Sequence, residues 1–243
     1  MNAAIRDAFF QLHRDLPREG PGEAADVAWA ADVAGTPGDA RICDAACGPG
    51  ADIAALRLVA PQGHVTALDK TAHFVDQARA VHGHDAGVTV AAGDMATIDG
   101  PYDLIWCAGA LYFLGVTEGL QTWRAALAPG GAVVFSEPCW FTDDRPPAAV
   151  EMWDGEYPTM PDAAAIAAQV TAAGYRTIAT RALSAAAWEA YYTPLDQRIA
   201  MLSPGDTPAM QHVLAEARRE TDVWRAHSDS FGYLLSVVRP DGV

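Results

Sequence analysis

The sequence predicts an α/β architecture, a mostly parallel sheet of seven strands with helices on both faces. Three observations predict it. From Arg41 onward, short apolar runs alternate with segments of helical period, the pattern of successive βαβ units. The first run ends in an acidic residue and a turn of small residues, "RICDAACGPGAD" at 41–52. Hydrophobic residues make up 51% of the 243 against 19% charged, so the chain can bury a substantial core. That length suits one large domain.

Residues 1–13 read as a helix with Ile5, Phe9, Phe10 and Leu12 on its apolar side. "LPREGPGEA" breaks it, and 23–33 reads as a second helix. "RICDA" is strand one, 51–59 a helix, "HVTALD" strand two, 71–81 a helix and "VTVAAGD" strand three. "YDLIWCA" is strand four, followed by a helix over 116–127 that "APGG" ends, and "AVVFSEP" is strand five. These strands are short and apolar, as expected where both faces are covered. After Pro138, "CWFTDDRPP" reads as a loop, 164–173 as a helix and "YRTIATRAL" as strand six. A helical stretch over 185–226 precedes "FGYLLSVVRP", strand seven. The long insertion between the last two strands reads as a cap; a helical layer that only covers the sheet is the alternative.

Charge and composition exclude several classes. The net charge of −15 and pI near 4.6 repel phosphate backbones, so no nucleic-acid partner is expected. No apolar run approaches the roughly 20 residues of a membrane span. "MNAAIRDAFFQLHRDLPREG" mixes charges among its apolar residues, unlike a signal peptide. Cys43, Cys47, Cys107 and Cys139 lack zinc spacing and read as free thiols in a reducing cytosol. His82 and His84 would need further ligands to hold a metal, so none is expected.

Gly48 and Gly50 bracket Pro49, which leaves the backbone of the first turn open to close approach. A dinucleotide fingerprint would need G-x-G-x-x-G. Ile53 stands where its third glycine belongs, and reading Ala46, Gly48 and Ala51 instead rescues the pattern only loosely.

Five short motifs fit another ligand. They are "DAACGPG" at 44–50, "TALD" ending at Asp69, "AAGDM" with Gly93, Asp94 and Met95, "YDLIWCAGALYF" at the fourth strand and "LAPGG" before the fifth. In this order they resemble the class I S-adenosylmethionine-dependent methyltransferases, over nearly the whole chain. The run "DLIWCAGALYFLG…SEPCWFTDDRP…YYTP…FGYLLSVVRP" is similar to a bacterial small-molecule group often labelled ubiquinone/menaquinone methyltransferase-like. The resemblance implies a Rossmann-like sheet whose last strand is antiparallel, under a helical cap. It implies one domain, with an N-terminal helical lid over 1–35, a cofactor-binding core over 40–138 and cap segments at 139–160 and 183–230.

The resemblance also implies that S-adenosylmethionine is held by Asp44, Ala46, Gly48, Gly50, Asp69, Lys70, Gly93, Asp94, Met95 and Cys107. Asp69 would accept ribose hydroxyls, or act as helix N-cap for "KTAHFVDQAR". Asp94 would meet the adenine amino group with Met95 on the ring; the alternative is a plain turn pair. Asp44 would act through the loop on the ammonium end, or only accept loop N–H groups. The family usually has glycine where Ala46 stands. A positive φ there would cost roughly 1 kcal/mol.

The expected reaction is in-line transfer of a methyl group to a small-molecule acceptor at N, O, S or C, driven mostly by positioning. Glu137 and Tyr112 are the catalytic candidates. Glu137 would be a base or orient the acceptor, or be a salt-bridged loop carboxylate; Tyr112 would align the acceptor or pack beneath the cap. Trp140, Tyr157 and Tyr191, with Trp153 and Tyr192, would line an apolar or cationic pocket, or serve as ordinary lid packing. Arg18, in "HRDLPREGPG", would meet a carboxylate of acceptor or cofactor, or be a surface arginine. His13 and His227 rank low as bases. A homodimer stays open. A non-catalytic S-adenosylmethionine-binding protein is the alternative function, motivated by Ala46. A nicotinamide-dependent oxidoreductase is disfavoured by the missing glycine.

Overall fold

The computed structural model describes residues 2–202 and 207–242. The helix start expected at Met1 and the part of the 185–226 helical stretch at 203–206 lie outside the described residues. The elements run α1 (Ala3–Leu12), α2 (Ala24–Ala34), β1 (Arg41–Ala45), α3 (Ile53–Val59), β2 (His64–Asp69), α4 (Ala72–His82), β3 (Val88–Ala92), β4 (Tyr102–Ala108) and α5 (Val116–Trp123). They continue with β5 (Leu127–Trp140), α6 (Pro147–Glu156), α7 (Ala163–Ala172), β6 (Tyr175–Ala182), α8 (Ala185–Leu202), α9 (Pro208–His227) and β7 (Phe231–Pro240). Short 3-10 turns sit at Met95–Thr97, Leu111–Phe113 and Arg124–Ala126.

The sheet order is β3-β2-β1-β4-β5-β7-β6. β7 is antiparallel to both β5 and β6, and the pairs β1–β2, β1–β4, β2–β3 and β4–β5 are parallel. The direction of winding reverses between β1 and β4. That opens a crevice at the carboxyl ends of these strands, where ligands of open α/β sheets bind.

Each face of the sheet buries its own core. On one, Ile42, Val65, Leu104 and Val134 pack with Val27 and Ala30 of α2, Ile53 and Leu56 of α3 and Val75 of α4. On the other, Cys43, Ile105, Val133 and Phe135 pack with Leu120 and Trp123 of α5 and with Ile166 and Val170 of α7. Strands covered on both sides cannot alternate apolar with polar, which explains the unbroken apolar runs.

Above the carboxyl ends, α1 packs on α8 and α9, and α6 packs on α9. α2 lies mainly against α3, β6 and β7, while Gly22 and Glu23 just before it bond to Ala187 of α8 and to Ser184. The small buried face of α2 (Ala30, Ala31, Ala34) lets it approach the sheet closely.

Four sequence expectations need correction. "CWFTDDRPP" does not begin as a loop: Cys139 and Trp140 continue β5, because β7 supplies Gly232 and Phe231 as partners. Residues read there without a helix form α6, opened by Pro147, whose fixed φ suits a first helical position. The helix over 116–127 ends at Trp123, and Leu127 already belongs to β5 opposite Tyr102. β3 stops at Ala92 because the Asp94 side chain accepts from the Ala96 N–H at 2.9 Å and caps the next turn.

Candidate functional site

After β1 the chain turns through left-handed residues. Ala46 has φ 63°, Gly48 φ 54° and Gly50 φ 90°. Two of these are glycines, which adopt the conformation freely. Ala46 carries a Cβ and pays about 1–2 kcal/mol for it. The turn is tied to the end of β2: the Cys47 N–H donates to the Leu68 carbonyl at 2.9 Å, and the Gly48 N–H to Asp69 Oδ2 at 2.9 Å. Behind it, a Cβ on Gly50 would come within 3.0 Å of Ala78 and Ile53.

Asp69 is not the cap residue of α4; Thr71 holds that position. Asp69 Oδ1 instead accepts from the Thr71 N–H at 2.7 Å, so both oxygens are fixed by backbone amides. Each retains a further lone pair. Gly93 donates its N–H to the Asp69 carbonyl at 3.0 Å, which brings β3 to the same corner. There Asp94 is exposed and Met95 buried, the Met95 carbonyl accepting from Trp123 Nε1 at 2.6 Å. Lys70 is exposed, its ammonium 6.0 Å from the Phe113 ring centroid.

Asp44 lies beneath the turn, only 3% exposed, and its Oδ2 has no hydrogen-bond partner among the described residues. Burial holds its carboxyl well above the usual range, the negative charges of Asp52 and Asp69 push it further, and Arg18 opposes them. Arg18 is no surface residue. Its Nη2 lies 3.3 Å from Asp52 Oδ1, its Nε donates to the Gly20 carbonyl at 2.5 Å, and the side chain is 12% exposed. Asp52 Oδ2 accepts from Trp106 Nε1 at 3.0 Å. Of these three carboxylates, Asp52 contacts the guanidinium, Asp44 feels it, and Asp69 is held by backbone amides.

Across β4 and β5 the lining changes. Cys107 is fully buried between the two regions, its thiol raised by burial first and then by Asp44 and Glu137. Glu137 is a strand residue with no exposure and no ion pair among the described residues, which removes the salt-bridged loop alternative. Its Oε1 accepts from the Tyr157 hydroxyl at 3.0 Å, and its Oε2 has no partner. Burial pushes its carboxyl up to about 8.

Tyr157 follows α6 directly, and its ring centroid is 5.6 Å from that of Tyr112. The Tyr112 phenol is raised by burial and then by Glu156, Glu137 and Glu220. Tyr191 of α8 packs 5.2 Å from Tyr192, whose hydroxyl donates to Glu220 Oε1 at 3.1 Å. Trp140 belongs to the core, edge-on to Phe231 at 5.9 Å with the Arg145 guanidinium 5.0 Å from its ring.

Sequence reasoning missed Glu19, Glu220 and Tyr233 of this region. Glu220 had a signal: Val213, Ala217, Glu220 and Trp224 recur at helical spacing, so a carboxylate interrupts the buried side of α9. Of the low-ranked histidines, His13 borders this region and acts on Glu220. His13 Nδ1 lies 2.7 Å from Glu19 Oε2, and His227 ends α9. His82 Nε2 contacts the Gly50 carbonyl at 3.1 Å, and no group of three potential metal ligands occurs among the described residues.

The strand order, with the left-handed turn after β1 and the acidic residue that ends β2, makes a Rossmann-like fold shared with solved S-adenosylmethionine-dependent methyltransferases. The comparisons agree. Residues 42–131 match the family model described as a methyltransferase domain. Over 108 residues the chain is 37% identical to trans-aconitate 2-methyltransferase of Streptomyces avermitilis, covering 41% of this chain and 39% of that protein. Over 109 residues it is 34% identical to an uncharacterized 37.1 kDa protein in transposon Tn4556 of Streptomyces fradiae, covering 43% and 31%. The matched stretch is therefore well under half the length of either curated relative. The fold is shared with the SAM-dependent methyltransferase of Geobacter sulfurreducens solved with S-adenosyl-L-homocysteine, at TM-score 0.78 and 18% identity over 96% of this chain and 98% of that one. No helix among the described residues is long and apolar enough to cross a membrane.

Proposed function

We propose that this protein binds S-adenosylmethionine at the corner formed by β1, β2 and β3 and transfers its methyl group to a small molecule held under the cap. The observation that carries this reading is Asp44: a buried carboxyl with an unpartnered oxygen, beneath a left-handed turn and beside two more carboxylates. A buried acid left in that state calls for a cation or a donor. The cofactor offers an ammonium and a sulfonium.

In this reading Asp44 faces the ammonium end, while Ala46, Gly48 and Gly50 give backbone access to the methionine portion. Arg18, held by Asp52, meets the cofactor carboxylate. Asp69 accepts from the ribose hydroxyls with its free lone pairs. Gly93, Asp94 and Met95 receive the adenine, and Lys70 and Cys107 border the site. The cofactor supplies an electrophilic methyl group on a good leaving group, so this chain needs only to align the acceptor and manage its proton. Glu137 is the group able to take a proton, with Tyr112 and Tyr157 beside it, and Tyr191 and Trp140 belong to the enclosing wall.

The chain charge of −15 supports a small-molecule acceptor over a nucleic acid, and four buried free thiols suit a reducing cytoplasm. Likeness to the ubiquinone/menaquinone methyltransferase-like group names no acceptor. A monomer and a homodimer are both compatible with the reading.

One observation favours a second reading. Ala46 holds a positive φ at a position of the binding turn, as a binder that has lost turnover could tolerate. One experiment separates the two. Calorimetric titration with S-adenosylmethionine and S-adenosylhomocysteine is followed by incubation of methyl-labelled cofactor with a bacterial metabolite extract. Binding plus a labelled product that Asp69→Ala abolishes supports the enzyme. Binding with no label in any extract supports the sensor, and absence of binding rejects both.

A further inference from the structure

The acceptor side carries a second charge deficit, separate from the one at Asp44. Glu137 Oε2 and Glu19 Oε1 are both buried without partners among the described residues. Glu220 is partly buried and bonded only to a phenol among the contacts described. Three tyrosines join these acids: Tyr112 and Tyr233 each feel both Glu137 and Glu220, and Tyr191 feels Glu220 and Glu19. The titratable groups that feel Glu137 are themselves acids: Tyr157 after α6, Tyr112 in the 3-10 turn, Tyr233 in β7, Cys107 in β4 and Cys139 in its own strand. The nearby bases answer the other acids and not Glu137. His13 is bonded to Glu19 and acts on Glu220, and Arg225 is held by Glu189 and Asp196 on the exposed side of α8 and α9.

A carboxylic acceptor brought beside Glu137 would meet like charge with no base in contact with that residue among the described contacts. A cation would find a carboxylate oxygen without a partner and aromatic faces around it. Resting on the methyl-transfer reading above, we infer that the acceptor is a small amine that enters as its ammonium ion between Glu137 and the cap tyrosines, and that Glu137 removes the proton that blocks its lone pair. The balance closes. Glu137 carboxylate takes one N–H proton and becomes neutral. The freed nitrogen pair forms the N–C bond as the S–C bond breaks, and that electron pair stays on sulfur. The methylated nitrogen leaves as an ammonium ion, and Glu137 returns its proton to water. Tyr157 is a positioning residue that holds Oε1 and leaves Oε2 free. Burial places the Glu137 carboxyl near 8, within reach of proton exchange with an ammonium ion at neutral pH.

The test uses protein loaded with S-adenosylhomocysteine and a panel of aryl-alkyl and aliphatic amines. Each is paired with the carboxylic acid and the alcohol of the same skeleton, and trans-aconitate is added. Amines raise the melting temperature and their acid and alcohol partners do not. With methyl-labelled cofactor, the label appears on nitrogen and kcat/KM rises with pH through about 8. Glu137→Gln lowers the rate at least a hundredfold, removes that pH limb and keeps the S-adenosylhomocysteine Kd within twofold. Tyr157→Phe, which keeps the packing, shifts the limb and lowers the rate less. A panel in which no amine outperforms its acid and alcohol partners overturns the inference, as does label on oxygen, sulfur or carbon. Either result leaves methyl transfer standing. Failure to bind S-adenosylhomocysteine, seen first by calorimetry, takes down the underlying reading as well.

Discussion

The corner at β1 to β3 and the region between β5, β7 and the cap both bury carboxylates, but they treat them differently. At the corner, two of the three acids are fixed by neighbours close in the fold, and Asp44 keeps one oxygen unpartnered among the described residues. Asp69 takes two backbone N–H groups, and Asp52 takes Arg18 and Trp106. Under the cap, Glu137 has one phenol and Glu220 another. The first region is a mould built largely on a backbone turn. The second is a lining of side chains from β5, β7, α8, α9, the 3-10 turn at Leu111–Phe113 and the chain just after α6. A mould of this kind suits one constant ligand, and a lining can be changed residue by residue to suit another.

The variants that break this comparison run from rate to stability. Glu137→Gln, on the lining, lowers turnover by about 10²–10⁴-fold and leaves cofactor affinity alone. Asp69→Ala, in the mould, does the reverse at the binding step: it frees two backbone N–H groups and raises the cofactor Kd by about a hundredfold, measured by calorimetry. Asp52→Ala strands both Arg18 and Trp106 and lowers stability by about 2 kcal/mol, seen as a fall in urea midpoint. Ala46→Gly relieves the left-handed strain, part of which returns as backbone entropy. It stabilises by about 0.5–1 kcal/mol and tightens cofactor binding slightly.

A pH titration sharpens the comparison further. Burial raises the carboxyls of Asp44, Glu137 and Glu220 in the folded protein. Such groups favour folding when protonated. For Glu137, as pH rises from near 4.5 through about 8, the unfolded chain releases its proton first and stability of the free protein falls, and the raised carboxyls of Asp44 and Glu220 act in the same direction. Cofactor added at pH 8 offsets the share from Asp44, while Glu137→Gln removes the share from Glu137.

The same division explains what could be read from sequence. β1, β2, β4 and β7 lie where their apolar runs place them, because turn residues bound each run. The mould lies in contiguous motifs, so Asp44, Gly48, Asp69 and Gly93 come together as their order suggested. The lining is built from contacts between distant segments. Tyr157 meets Glu137 only because α6 exists, and α6 was hidden in a stretch dominated by proline, aspartate and alanine. Tyr233 reads as one more strand residue until the pairing of β7 with β5 brings it to the crevice.

The placement of β7 also shapes how the molecule is made. β6 is held to the sheet by β7 alone, and β7 slots between it and β5. A chain emerging from the ribosome therefore displays β6 with no partner while all of α8 and α9 is synthesised. During that interval the edge of β5 is also open. The cap and the last sheet pairing must form together, late, once β7 arrives. Chains interrupted within α9 would expose two strand edges and are expected to aggregate rather than persist as a smaller folded protein.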